Sequence, residues 1–189
     1  MFLMIDHYDS FVYNLVRYFK ELGQDICIYK HDALSIEDIR QLGPRGIILS
    51  PGPKSPKEAV LAHAIVQNFT GVIPILGICL GHQVIAHALG GRISLGNSPM
   101  HGKVTKIDHD GKGLFRGVPQ SIDVTRYHSL IVEKETLPEC LKITCQTQDG
   151  VIMGLRHKEH LLESVQFHPE AALTQNGHDM IENFIQMCP

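Results

Sequence analysis

From Ala59 to Gly91 the chain carries no Asp, Glu, Lys or Arg. A stretch so free of charge raises the question of a membrane span. Pro74, several glycines, Gln67, Asn68 and three histidines (His63, His82, His87) interrupt it. The reading is therefore buried core, with no membrane partner expected. Paired cysteine spacing is also missing. The five cysteines (Cys27, Cys79, Cys140, Cys145, Cys188) form no Cys-x-x-Cys, and an odd, scattered set argues for reduced thiols in a cytoplasmic protein. Zinc finds no ligand set: His157 and His160 are three apart, but no second pair has the required spacing, so no metal site is expected. Gly111-Lys112-Gly113 lacks the frame of a phosphate-binding loop. Positive charge is not in excess, at 17 Lys and Arg against 20 Asp and Glu, which gives no reason to expect nucleic acid. The first ten residues hold no basic stretch and include Asp6 and Asp9, so no signal peptide is expected.

What is present describes an α/β protein. At 189 residues and 43% apolar, the chain is long enough for one domain with a sizeable core. Phe2 to Ile5 reads as a strand, and Ser10 is expected to cap a helix with Val12, Leu15, Val16 and Phe19 on one face, ended by Gly23. Ile26 to Tyr29 and Gly46 to Leu49 are further strands, with a capped helix start at Ser35 between them. A helix follows with Leu61, Ile65 and Phe69 on one stripe. Such alternation implies an open, mostly parallel sheet flanked by helices. Beyond Arg92 the character changes. Val104–Ile107, Ile122–Val124, Leu141–Thr147, Val151–Leu155 and Leu162–Phe167 read as antiparallel strands extending or flanking the sheet. A final helix starts near Gln175, with Ile181, Phe184, Ile185 and Cys188 together. No repeat, low-complexity segment or linker divides the chain, so residues 1–189 are read as one domain.

The informative stretch is Gly77-Ile78-Cys79-Leu80-Gly81-His82-Gln83. The apolar run Ile75 to Ile78 suits a buried strand, and a helical pattern follows until Gly90-Gly91. Cys79 then sits where strand turns sharply into helix, in the frame of a nucleophile elbow with Cys for Ser. A helix N-terminus favours a thiolate and offers free N–H groups to an oxyanion. A core cysteine between two loop glycines fits the frame equally well. A nucleophile also needs an oriented base. Of 12 histidines, His168 stands out in Gln166-Phe167-His168-Pro169-Glu170. Pro169 favours extended backbone before it, and side chains at i and i+2 then leave on one side, so Glu170 can hold the ring. Taken singly this is a strand-end histidine with a solvated glutamate; joined to Cys79 it reads as a triad.

Together, Leu49-Ser50-Pro51-Gly52-Pro53, the Cys79 stretch and Phe167-His168-Pro169-Glu170 resemble the class I (triad) glutamine amidotransferases, in that family's order and over nearly the whole chain. Asp6-His7-Tyr8-Asp9-Ser10-Phe11, Met100-His101-Gly102-Lys103 and Tyr127-His128-Ser129-Leu130 are similar to the small glutaminase subunits, component II, of anthranilate synthase and aminodeoxychorismate synthase. The resemblance implies a subunit that hydrolyses L-glutamine and passes ammonia to a separate chorismate-binding subunit, component I, with no cofactor of its own. It implies Cys79 as nucleophile, His168 as proton carrier and Glu170 as its orienting group. It further implies an oxyanion hole from the N–H groups of Gly52 and Leu80, with Gln83 and the backbone of Ser129 and Leu130 holding the amino-acid end of glutamine. Lys54, His7 and Ala171 depart from the family's usual Gly, Asn and Ser. Lys54 adjoins the expected glutamine site and is expected to turn its head group to solvent. It also supports an alternative, a weak glutaminase-like subunit that mainly supports its partner.

Overall fold

The computed structural model describes residues 1–53, 55–96 and 99–189. The first half builds strand and helix in turn: β1 (Phe2–Asp6), α1 (Val12–Glu21), β2 (Ile26–Lys30), α2 (Ile36–Leu42), β3 (Ile47–Leu49), α3 (Val60–Phe69), β4 (Ile75–Ile78) and α4 (Leu80–Ala88). The second half is richer in strands: β5 (Ile93–Leu95), β6 (Lys103–His109), β7 (Ile122–Arg126), β8 (Leu130–Val132), β9 (Leu141–Thr147), β10 (Ile152–His157) and β11 (Leu162–Val165), closed by α5 (Gly177–Met187). Among the described residues nine strands make one sheet, ordered β2-β1-β3-β4-β11-β10-β9-β6-β7. From β2 to β11 neighbours run parallel; from β11 to β7 they run antiparallel. This is the expected open sheet with antiparallel strands from the C-terminal half.

Alternation along β1 explains the layering. Phe2 and Met4 face one side, with α1 and α5; Leu3 and Ile5 face the other, with α3 and α4. All four are fully buried, as a central strand between two helical layers requires. Val12, Leu15, Val16 and Phe19 are the buried stripe of α1, each worth about 1.5–3 kcal/mol when taken out of water. Phe19 stacks on Phe2 with ring centroids 5.1 Å apart, and Phe2 in turn meets Phe184 of α5.

Three details differ from the sequence reading. Leu162–Val165 is antiparallel to β10 but parallel to β4, because the tight turn after β10 returns the chain along the direction of the first-half strands. Ser10 does not cap α1; Phe11 occupies that position without a side-chain cap. The carboxylates of Asp6 and Asp9 take the free amides instead: Tyr8 N–H donates to Asp6 (2.8 Å) and Phe11 N–H to Asp9 (2.7 Å). Finally, Ile93–Leu95 pairs with Leu130–Val132 in a small separate sheet that the sequence does not announce. The capping box at Ser35, closed by Asp38, is present as expected.

Candidate active site

The elbow is set by what its glycines leave out. A Cβ on Gly77 would lie 2.6 Å from the Gly81 carbonyl oxygen and 2.6 Å from Ile85, and one on Gly81 would collide with the Leu49 carbonyl oxygen. Only hydrogen at these positions lets α4 spring from β4 while pressed on β3. Cys79 between them has φ 52° and ψ −98°, a conformation that costs a non-glycine residue roughly 1–3 kcal/mol. Its amide donates to Val165 O at 2.9 Å and its carbonyl accepts from Gln83 N–H at 3.2 Å, so strand and helix hold it from both sides. The first amides of α4, starting with Leu80, have no carbonyl one turn earlier to bond and form a positive end beside the sulfur.

His168 follows β11 and meets Cys79 from the neighbouring strand. Its Nδ1 lies 2.6 Å from Glu170 Oε1. A carboxylate accepts, so Nδ1 carries the proton and Nε2 is the nitrogen left for the thiol. Histidine and glutamate are 2% and 4% exposed. Burial alone lowers the proton affinity of the ring. Hydrogen bonding to Cys79 and Glu170, with the negative charge of both, outweighs it and pushes His168 up to about 10. The ring is also held by its surroundings. Tyr127 and Phe11 meet it edge-on at centroid distances of 5.2 and 5.6 Å, and Thr174 Oγ1 donates to its carbonyl at 2.6 Å. Phe11 reaches the ring because α1 begins where Asp9 fixes it.

The residues expected to hold substrate gather around this triad. Gly52 packs between His7 and Leu80 so closely that a Cβ would stand 2.6 Å from His7 Cβ and 2.8 Å from Leu80. The two expected oxyanion donors are thereby neighbours. His7 is tied to the same loop through its amide, which donates to Ser50 Oγ at 2.9 Å. Gln83, one turn into α4, donates from Nε2 to the carbonyl of Leu130 at 3.2 Å. That carbonyl also accepts from His128 Nδ1 at 2.9 Å, while His128 Nε2 accepts from Arg126 Nε at 3.0 Å. Both contacts suit a neutral ring. Burial, opposed by the Leu130 bond and helped by Arg126 and His168, lowers His128 to about 4. Ser129 is exposed, and its carbonyl accepts from Gly96 N–H at 2.8 Å, which ties it to β5. Lys54 lies outside the described residues.

One neighbour of the sulfur escaped the sequence reading. Gln166, fully buried, points Nε2 at Cys79 Sγ from 3.7 Å and accepts from Gln83 Nε2 at 3.1 Å through its own Oε1. The signal was available: Gln166, His168 and Glu170 alternate, so the i, i+2 argument that selects Glu170 selects Gln166 as well. The partners of His168 in Phe11 and Tyr127 carry no comparable signal, since they come together only through the fold. Among the described residues no cluster of His, Cys, Asp or Glu has the grouping to hold a metal, and no helix is long and apolar enough to cross a membrane.

Known proteins share this arrangement. Residues 3–188 match the family described as glutamine amidotransferase class-I. The chain is 48% identical over 186 residues to the aminodeoxychorismate/anthranilate synthase component 2 of Bacillus subtilis, covering 98% of this chain and 96% of that protein. It is 50% identical over 191 residues to the anthranilate synthase component 2 of Pseudomonas aeruginosa, covering 98% and 95%. Among solved structures, a GMP synthase subunit of Thermoplasma acidophilum superposes with a TM-score of 0.87 at 28% identity, over 99% of this chain and 92% of that one.

Proposed function

Because the chain belongs to the class-I glutamine amidotransferase family, we propose that it is the glutaminase subunit of a chorismate-aminating synthase, anthranilate synthase or aminodeoxychorismate synthase or both. In this reading it works as one domain in the cytoplasm, bound to a chorismate-binding component I. The observation that carries the reading is the Cys79 elbow facing a histidine whose other nitrogen is fixed by Glu170 at 2.6 Å.

The chemistry follows from the groups present. The Cys79 sulfur attacks the side-chain amide carbon of L-glutamine, and the C–S bond forms as the carbonyl electron pair moves onto oxygen. That oxyanion is received by the N–H groups of Gly52 and Leu80, where one preset donor is worth roughly 3 kcal/mol. His168, charged beside two anions, gives its Nε2 proton to the departing nitrogen. The C–N bond breaks and ammonia leaves for the partner. Water then attacks the thioester while His168 takes up its proton, and glutamate is released with the thiolate restored. Glu170 keeps the ring in place throughout. Gln83 spends both amide hydrogens on Leu130 and Gln166, so it offers substrate only its oxygen, which suits the α-ammonium of glutamine. The backbone at Ser129 and Leu130 lines the same end. None of these steps calls for a cofactor.

The test is a thiol-directed glutamine analogue, with peptide mapping of the product. Labelling at Cys79 that L-glutamine protects against is expected. Absence of labelling, or labelling shared evenly with the other cysteines, favours instead a supporting subunit with an idle site.

A further inference from the structure

The amides of Gln83 and Gln166 have a fixed polarity, and its origin is a single carbonyl. The oxygen of Leu130 can only accept, so the NH2 group of Gln83 must face it. That same NH2 group has its second hydrogen on Gln166, which therefore turns its oxygen towards Gln83 and its NH2 towards the Cys79 sulfur. Gln166 is 0% exposed and Gln83 4%, so water does not compete for these bonds. The backbone of Gln166 is anchored too, its N–H donating to Met153 O at 2.9 Å. A buried amide with both ends engaged has no freedom to swap them.

We propose that Gln166 is a positioning residue that holds a hydrogen-bond donor on the Cys79 sulfur, and that Gln83 fixes its aim. The inference rests on the reading of Cys79 as nucleophile. A donor aimed at sulfur favours the thiolate over the thiol, and a bond to a charged acceptor is among the stronger ones. Linked amides also polarise one another. An ammonium group seated on the Gln83 oxygen makes Gln83 a better donor to Gln166, and Gln166 a better donor to sulfur. Occupation of the amino-acid end of the site is thereby felt at the nucleophile 87 residues away in sequence from Gln166.

The experiment is alkylation of the full chain by iodoacetamide across pH, read at each cysteine by peptide mapping. Variants are Gln166→Met, which keeps shape but removes the donor, Gln83→Met, and the two combined. Gln166→Met is expected to move the Cys79 profile up by about one pH unit, a tenfold change in thiolate fraction. Gln83→Met should shift it the same way, and the double variant no further than Gln166→Met alone, since both break one chain. The Cys140 profile, an internal reference, should stay put. An unmoved Cys79 profile in Gln166→Met overturns the proposal, as does full additivity of the two changes. Failure of wild-type Cys79 to react while Cys140 does would instead count against Cys79 as the nucleophile.

Discussion

At the scale of single residues, His168 and Glu170 divide their labour unevenly. The ring moves protons, whereas the carboxylate touches only the ring, through Nδ1 at 2.6 Å. Glu170→Gln keeps a hydrogen-bond acceptor there but loses the charge that helps hold the proton. Steady-state glutamine hydrolysis should therefore fall much less in Glu170→Gln than in His168→Ala, for which a loss of about 10²–10⁴-fold is expected. Equal losses would mean that the Glu170 charge itself is indispensable. Cys79, His168 and Glu170 were legible in the sequence because elbow frame and i, i+2 spacing are local. Gln166 obeyed the same spacing, but no local feature marks an amide as a sulfur ligand; its role appears only once β11 lies beside β4. The neutral His128 beneath Leu130 was illegible for a similar reason, since its state is set by burial and by Arg126.

At the scale of elements, the β4–α4 corner carries the largest local constraint. Gly77→Ala would drive a methyl group against the Gly81 carbonyl, and Gly81→Ala one against the Leu49 carbonyl. Backbone cannot step aside as a side-chain end can. Each substitution is expected to cost about 3 kcal/mol or more in urea unfolding. Gly90→Ala is the contrast: nothing lies within 4 Å of a Cβ there, and only its φ of 107° opposes alanine, at a cost of about 1–2 kcal/mol. Similar losses at all three sites would show that φ, and not close packing, governs the corner. Period and punctuation made these elements readable, from the α1 stripe to the glycines after α4. The direction of β11 was not readable, because a strand's own residues do not say which neighbour it will join. The start of α1 shifted by one residue because Asp9, not Ser10, satisfies the amide of Phe11.

At the scale of the whole molecule, buried histidines tie stability to pH. His82 is fully buried on α4, with Nδ1 on Ser164 Oγ at 2.9 Å. Burial, reinforced by His128, lowers it from 6.5 to about 3. The unfolded chain takes up that proton below pH 6.5 and the folded chain does not, so stability held above 6.5 is lost as pH falls towards 3. His82→Asn lacks this loss. The stability gap between wild type and variant in urea unfolding should close by up to about 2.7 kcal/mol from pH 6.5 to about pH 4.5; a constant gap would mean that His82 is charged in the folded protein. Function at this scale is a division between two chains, one releasing ammonia and the other using it. The most direct measurement is product formation from chorismate by the complex with component I, comparing wild type with Cys79→Ser, using either glutamine or an ammonium salt as nitrogen source. Loss of the glutamine-dependent reaction with the ammonium-dependent one intact is predicted. Glutamine-dependent product formation that survives in Cys79→Ser would contradict the account.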